Sequence, residues 1–157
     1  MKKHIFSDWE IKMMLDAVQQ ARCISAKEAK ELKERLLDLT SKRSRSRFCH
    51  MMTPKEGNMD SDRETGYYIE TMLEAMYLHK KIEFQYTEVN EKLQKVLRRE
   101  GKKYSLNLYE IYWSDNTYYL IGAHDHYDRL TSYRLDRIEN LEISQSDAID
   151  AVEKIGP

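Results

Sequence analysis

The cationic side chains of this sequence concentrate in two runs. Lys92 to Lys103 holds six basic residues, Lys92, Lys95, Arg98, Arg99, Lys102 and Lys103, against one acid, Glu100. Laid along a β-hairpin they would form a basic ribbon, with Arg98, Arg99, Lys102 and Lys103 as candidate phosphate contacts whose share of affinity falls with salt. A charged sheet edge that discourages strand-to-strand aggregation accounts for the same residues equally well. In Lys42 to Arg47 four of six residues are basic and the other two are serines. Charge alone favours a solvated connector there over a phosphate-contacting strip.

Other chemistries are poorly supplied. His124-Asp125-His126 puts two histidines on one face of a strand, but a metal takes three or four ligands and no further His or Cys converges in sequence, so a solvated turn is expected and no metal or cofactor. No P-loop, nucleophile elbow, Ser-His-Asp order or His-Glu-x-x-His is present. Glu70 and Glu74 on one helical face are too generic to argue paired acid-base catalysis. The expectation is a binding protein and not an enzyme. Eleven tyrosines could supply π-faces and hydroxyls to a ligand, although β-strands use tyrosine just as readily.

The composition bounds these readings. At 157 residues there is room for one domain, or one small domain with a helical appendage. A net charge of -1 leaves no global field, so any polyanion site must be local. Cys23 and Cys49 are the only cysteines, which excludes a disulfide framework or a zinc knuckle. No window approaches eighteen consecutive apolar residues, so the sequence reads as cytoplasmic, with no membrane partner.

The elements that must position these side chains can be read from periodicity. Ser7-Asp8-Trp9-Glu10 and Ser25-Ala26-Lys27-Glu28 each have the form of a capping box. The stripes behind them, Ile11, Met14, Leu15 and Val18, then Ala29, Leu32, Leu36 and Leu39, predict two helices in an antiparallel hairpin. Phe48 to Met52 reads as a short strand and Thr53 to Gly66 as a long loop. Ile69, Met72, Leu73 and Met76 predict a connecting helix to about His79.

From Ile82, Phe84 and Tyr86 onward the period is two. Strands are expected over 81–87, 93–99, 102–113, 117–124, 130–135 and 138–144, separated by turns at Glu100-Gly101, Asp115-Asn116 and 126–128. In the longest, Tyr104, Leu106 and Leu108 hold one phase while Tyr109, Ile111 and Trp113 hold the other, which predicts a bulge near Leu108 and a sheet that curls towards closure.

Tyr118-Tyr119-Leu120-Ile121, followed by Tyr133-Arg134-Leu135-Asp136-Arg137-Ile138, resembles the signature of WYL domains. Tyr118 stands where the family has tryptophan or tyrosine, and Leu108 where relatives commonly have proline. The resemblance implies an α+β molecule, a helical hairpin and connecting helix followed by a small SH3/Sm-like antiparallel β-barrel. Residues 1–64 would be the helical linker region and loop, 65–145 the WYL domain and 146–157 a C-terminal tail. It also implies a bacterial transcriptional regulator whose ligand-sensing domain binds an anionic effector, single-stranded nucleic acid or a nucleotide-type molecule. Operator DNA would be read only by an N-terminal helix-turn-helix that this sequence lacks. Homodimers are expected, through the Ile11/Val18 or Leu32/Leu39 stripes, and a dimerisation scaffold without a small ligand is the alternative.

The ligand-binding residues implied by the resemblance are Tyr118, Tyr119, His124, Arg134 and Arg137. If Tyr133 and Leu135 face the core, alternation sends Arg134 to the other face. Tyr118 and Tyr119 must likewise point opposite ways; the resemblance, not the periodicity, nominates Tyr119 as the exposed one. Arg137 would either meet ligand or pair with Asp136 or a neighbouring carboxylate.

Overall fold

The computed structural model describes residues 5–49, 63–151 and 153. The chain divides into two compact units, residues 1–62 and 63–157. No helix among the described residues is long and apolar enough to cross a membrane.

The first unit holds α1 (Asp8–Gln20), α2 (Ala26–Asp38) and α3 (Lys42–Cys49). Both capping boxes form. The Ser7 amide and hydroxyl donate to the Glu10 carboxylate at 2.7 and 2.8 Å, and these bonds, the amide first, hold the Glu10 carboxyl below the ordinary carboxylate range. At α2 the exchange is reciprocal, the Ser25 amide donating to Glu28 at 2.8 Å and the Glu28 amide to the Ser25 hydroxyl at 3.2 Å. Ile11, Leu15, Leu37 and Phe48 close the core.

Three expectations are corrected here. The basic run from Lys42 is not a connector but α3, because Ser41 caps it, its hydroxyl accepting from the Ser44 amide at 3.1 Å, and Phe48 anchors it in the core. Arg45 is tied to Asp38 and Glu34, and Arg47 to Asp8. Phe48 is thus helical and not the start of a strand; residues 50–62, which include the rest of that strand and most of the expected loop, lie outside the described residues. Ile11 is fully buried, so its stripe is not an outer surface, whereas Leu32 and Leu39 are exposed.

The second unit opens with α4 (Arg63–Tyr77). Its buried stripe is Tyr68, Met72 and Ala75, flanked by Ile69 and Met76; Leu73, expected inward, is exposed. Six antiparallel strands follow: β1 (Lys80–Val89), β2 (Lys95–Leu97), β3 (Tyr104–Ser114), β4 (Thr117–Ala123), β5 (Thr131–Arg134) and β6 (Ile138–Asp147). The pairings run β5–β4–β3–β1–β6, with β2 on the far end of β1 at Thr87–Val89. The result is an α+β unit with a curled antiparallel sheet, its concave side packed by Ile82, Phe84, Leu106, Leu120 and α4.

The curl has local causes. Between β3 and β4 the register slips between Leu108↔Gly122 and Glu110↔Ile121, a bulge at the position the phase switch predicts. The backbones come so close there that a Cβ on Gly122 would lie 2.2 Å from the Asn107 carbonyl oxygen. Asp115 and Asn116, both at positive φ, close the two-residue turn of this hairpin. The strand expected over 93–99 shrinks to three residues. From Arg98 to Gly101 the chain leaves the sheet, and Arg99, Glu100 and Gly101 follow one another at φ 51°, 55° and 79°. The basic segment is therefore a strand with a left-handed turn and not a continuous ribbon.

Candidate effector site

Strand pairing decides which side chains meet. Leu120 pairs with Tyr133 and both are buried, so their neighbours Tyr119 and Arg134, themselves a cross-strand pair, occupy the opposite face. Tyr112 of β3 stands opposite Tyr119 of β4, and the two rings stack with centroids 5.3 Å apart at 18°. Three strands thus place Tyr112, Tyr119 and Arg134 side by side. Tyr118 lies on the other face, half-buried against the core, its ring edge-on to Trp113 at 4.7 Å.

The Arg134 guanidinium forks onto Asp136, Nε donating to Oδ1 at 3.0 Å and Nη2 to Oδ2 at 2.7 Å. This bond raises the Arg134 pKa. Arg134, and not Arg137, is therefore the partner of Asp136; a one-turn 3-10 helix from Leu135 to Arg137 turns Arg137 outward, where its backbone carbonyl accepts from the Thr87 hydroxyl at 3.1 Å.

The concave side carries a second group. Phe84 and Tyr86 of β1, Tyr104 of β3 and Tyr133 of β5 form an aromatic cluster. Phe84 stacks on Tyr104 at 5.6 Å, and Tyr133 stands edge-on to Phe84 and Tyr86 at 5.1 and 5.0 Å. His124 belongs to this cluster. Its Nδ1 donates to the Ser105 carbonyl at 2.7 Å, since a carbonyl can only accept, and its Nε2 lies 2.7 Å from the Tyr133 hydroxyl. Burial pushes the Tyr133 phenol up to about 12, so it remains a donor. His126 is exposed, and among the described residues no group of three or more His, Cys, Asp or Glu is placed to hold a metal.

Two arginines lie over these rings. The Arg99 guanidinium carbon is 4.6 Å from the Tyr104 centroid and that of Arg98 is 5.8 Å from Tyr86. Left-handed backbone costs about 1–2 kcal/mol at a residue with a Cβ, so Arg99 and Glu100 are held in place by other bonds: Gln85 Nε2 donates to the Gly101 carbonyl at 2.5 Å, and Asn140 Nδ2 to Gln85 Oε1 at 2.6 Å. The Tyr86 hydroxyl accepts from the Arg134 amide at 3.1 Å. The Tyr104 hydroxyl, in a side chain only 3% exposed, finds no partner among the described residues. A buried hydroxyl left so costs about 1–3 kcal/mol.

The nominated cations differ in availability. Lys103 is tied to Glu142, which raises its pKa, and Arg98 approaches Glu88 at 3.4 Å. Arg99, Lys102 and Arg137 form no ion pair among the described residues. By contrast, a groove between α4 and β6 carries Glu70, Glu74 and Glu142 and has the wrong sign for an anion.

The loop bearing His124 is fixed from below by Asn107, which is fully buried. Its amide donates to the Ala123 carbonyl and to Asp125, each at 2.9 Å, and its oxygen accepts from the Ile149 amide at 2.8 Å. Lys81 donates to the other Asp125 oxygen at 2.5 Å.

Sequence reasoning missed Tyr112, Tyr86, Tyr104 and Asn107. Tyr112 was recoverable, since it sits as far before the Asp115-Asn116 turn as Tyr119 sits after it. The other three needed the curl of the sheet, which no local pattern specifies.

No curated protein matches this sequence. Among solved structures, the chain is similar to "Proteasome accessory factor B/C (PafBC) of Arthrobacter aurescens", with a TM-score of 0.47 and 18% identity over 94% of this chain; it spans 22% of the length of that one. The elements from α4 to β6 that assemble both aromatic groups are the part of the chain that matches a family model: residues 67–143 match the WYL domain.

Proposed function

We propose that the curled sheet is the sensing part of a transcriptional regulator, a binding domain without catalysis that takes an anionic effector, single-stranded nucleic acid or a nucleotide-type molecule. The observation that carries this is the Tyr112–Tyr119 stack with Arg134 beside it on the non-core face. An aromatic surface bordered by guanidinium is what unstacked bases and their phosphates bind, because every base has a π-face and every linkage a charge. Tyr118, on the core face, supports the platform from behind, and His124 orders the aromatic cluster beneath. Arg99, Lys102 and Arg137 supply charge that an effector meets without breaking an existing ion pair.

Binding would act on transcription through a DNA-binding part, by favouring one arrangement over another to the extent that the effector binds the two unequally. The test is fluorescence anisotropy of short labelled single-stranded DNA and RNA, at low and moderate salt, with the native protein and with Arg134→Ala and Tyr119→Ala. Saturable, salt-weakened binding is expected. Loss of one stacked base, worth about 1–3 kcal/mol, would weaken the tyrosine variant roughly 5- to 160-fold.

The second reading, a dimerisation scaffold with no small ligand, is favoured by the exposed Leu32 of α2 and Leu39 at its C-terminal cap. Absence of binding to either polymer, with a stable homodimer by light scattering that Leu32→Asp and Leu39→Asp dissociate, would replace the first reading by the second.

A further inference from the structure

Of the three phenols in the aromatic cluster, two are accounted for. Tyr86 accepts the Arg134 amide and Tyr133 is hydrogen-bonded to His124. The third, Tyr104, is as deeply buried as either, yet its hydroxyl meets no protein acceptor among the described residues. Phenylalanine would fill the same space against Phe84 without leaving a donor unsatisfied. Directly over this ring lies Arg99, which has no carboxylate partner among the described residues. It is held there by a turn of three consecutive left-handed residues that Gln85 and Asn140 tie down. A strained backbone kept in place by a dedicated hydrogen-bond relay, presenting an unpaired cation beside an unsatisfied donor, is the arrangement of a prepared anion subsite.

We propose that the Tyr104 hydroxyl and the Arg99 guanidinium together receive a terminal phosphate monoester of the effector. This rests on the reading of the curled sheet as the effector-binding element. The choice of a terminal group follows from depth and oxygen count. The phenol is sealed from solvent beneath Arg99, so a ligand meets it only as the Arg99 side chain swings from the ring onto the incoming group, which a group projecting from its carrier on a single bond allows and an internal diester, continuing on both sides, does not. A monoester also offers three non-bridging oxygens, enough to accept from the phenol and to engage a guanidinium fork at once, and carries up to two negative charges. The subsite distinguishes strand ends, or mononucleotides, from uninterrupted strand.

The experiment is a competition assay, read by anisotropy, in which short thymidine oligonucleotides with a 5′-phosphate, a 3′-phosphate or no terminal phosphate displace a labelled strand from the full chain. At least one phosphorylated form is expected to compete about tenfold better than the plain strand. That ratio should fall to about one in Tyr104→Phe and in Arg99→Ala. Thermal melting of unliganded Tyr104→Phe controls for folding: its midpoint should equal or exceed that of the native chain, because the unsatisfied hydroxyl is gone. Equal competition by all three strands, or a phosphate advantage that survives Tyr104→Phe, overturns the subsite and leaves the nucleic-acid reading standing. If no strand binds at all, that reading fails and the subsite is decided by thymidine 5′-monophosphate against thymidine in the melting assay. A shift with the monophosphate alone that Tyr104→Phe abolishes upholds it, and no shift overturns it.

Discussion

At the scale of single residues, the site depends on groups that hold other groups. Asp125 binds Lys81 and Asn107, and these two, Lys81 first, keep its carboxyl below the ordinary carboxylate range. A carboxyl whose folded pKa is depressed contributes stability that is fully present above its unfolded value, near 4, and is lost as pH falls through the lower folded value. Acid unfolding followed by tyrosine fluorescence should therefore begin below about pH 4, and Asp125→Asn should flatten that limb while leaving the curve near neutrality parallel to the native one. An unchanged acid limb would remove Asp125 from the account. The same residue corrects the sequence reading of its neighbourhood. His124-Asp125-His126 looked like one solvated turn, but two of the three are engaged, because their partners, Ser105, Tyr133, Lys81 and Asn107, come from three other strands.

Among the elements, the β3–β4 hairpin governs the curl. Gly122 sits at its bulge, where a methyl group would run into backbone and into Leu106, neither of which can give way without moving a strand. Gly122→Ala should destabilise the second unit by about 3 kcal/mol or more, the upper end of overpacking penalties, measured by urea unfolding; a change below 1 kcal/mol would show the bulge to be pliant. Most of this element layer was legible. Capping boxes, the period-two runs and the phase switch at Leu108 are local signals, and helices, strands and bulge stand where they predict. The failures were also physical. α3 was hidden because its eight residues show one apolar anchor amid charge, and β2 was overdrawn because alternation does not register a left-handed turn until the glycine ends it. The face that α4 buries was misjudged by one position, since tyrosine and leucine at neighbouring places are equally fit for a core.

For the molecule as a whole, a net charge of -1 confines any attraction for polyanions to local patches. The cations left without ion-pair partners near the aromatic groups are few, so effector binding should release few counterions. A strand held by two or three of them should show a slope of log affinity against log salt of about -1.4 to -2.1, using -0.7 per phosphate for single strands. A slope steeper than about -4 would mean that the strand also engages cations now held in ion pairs, Lys103 and Arg98 among them.

Asn107 carries a consequence for how the protein is made. Its side-chain oxygen, sealed under the sheet, is satisfied by the amide of Ile149, and the carbonyl of that same residue accepts from Tyr109. A nascent chain that has delivered β1 to β5 from the ribosome still has this acceptor buried and unanswered, and the loop of His124 rests on it. The interior of the second unit is thus completed only once the residues beyond β6 have emerged, and a chain that stops short of Ile149 presents the quality-control proteases with an open sheet.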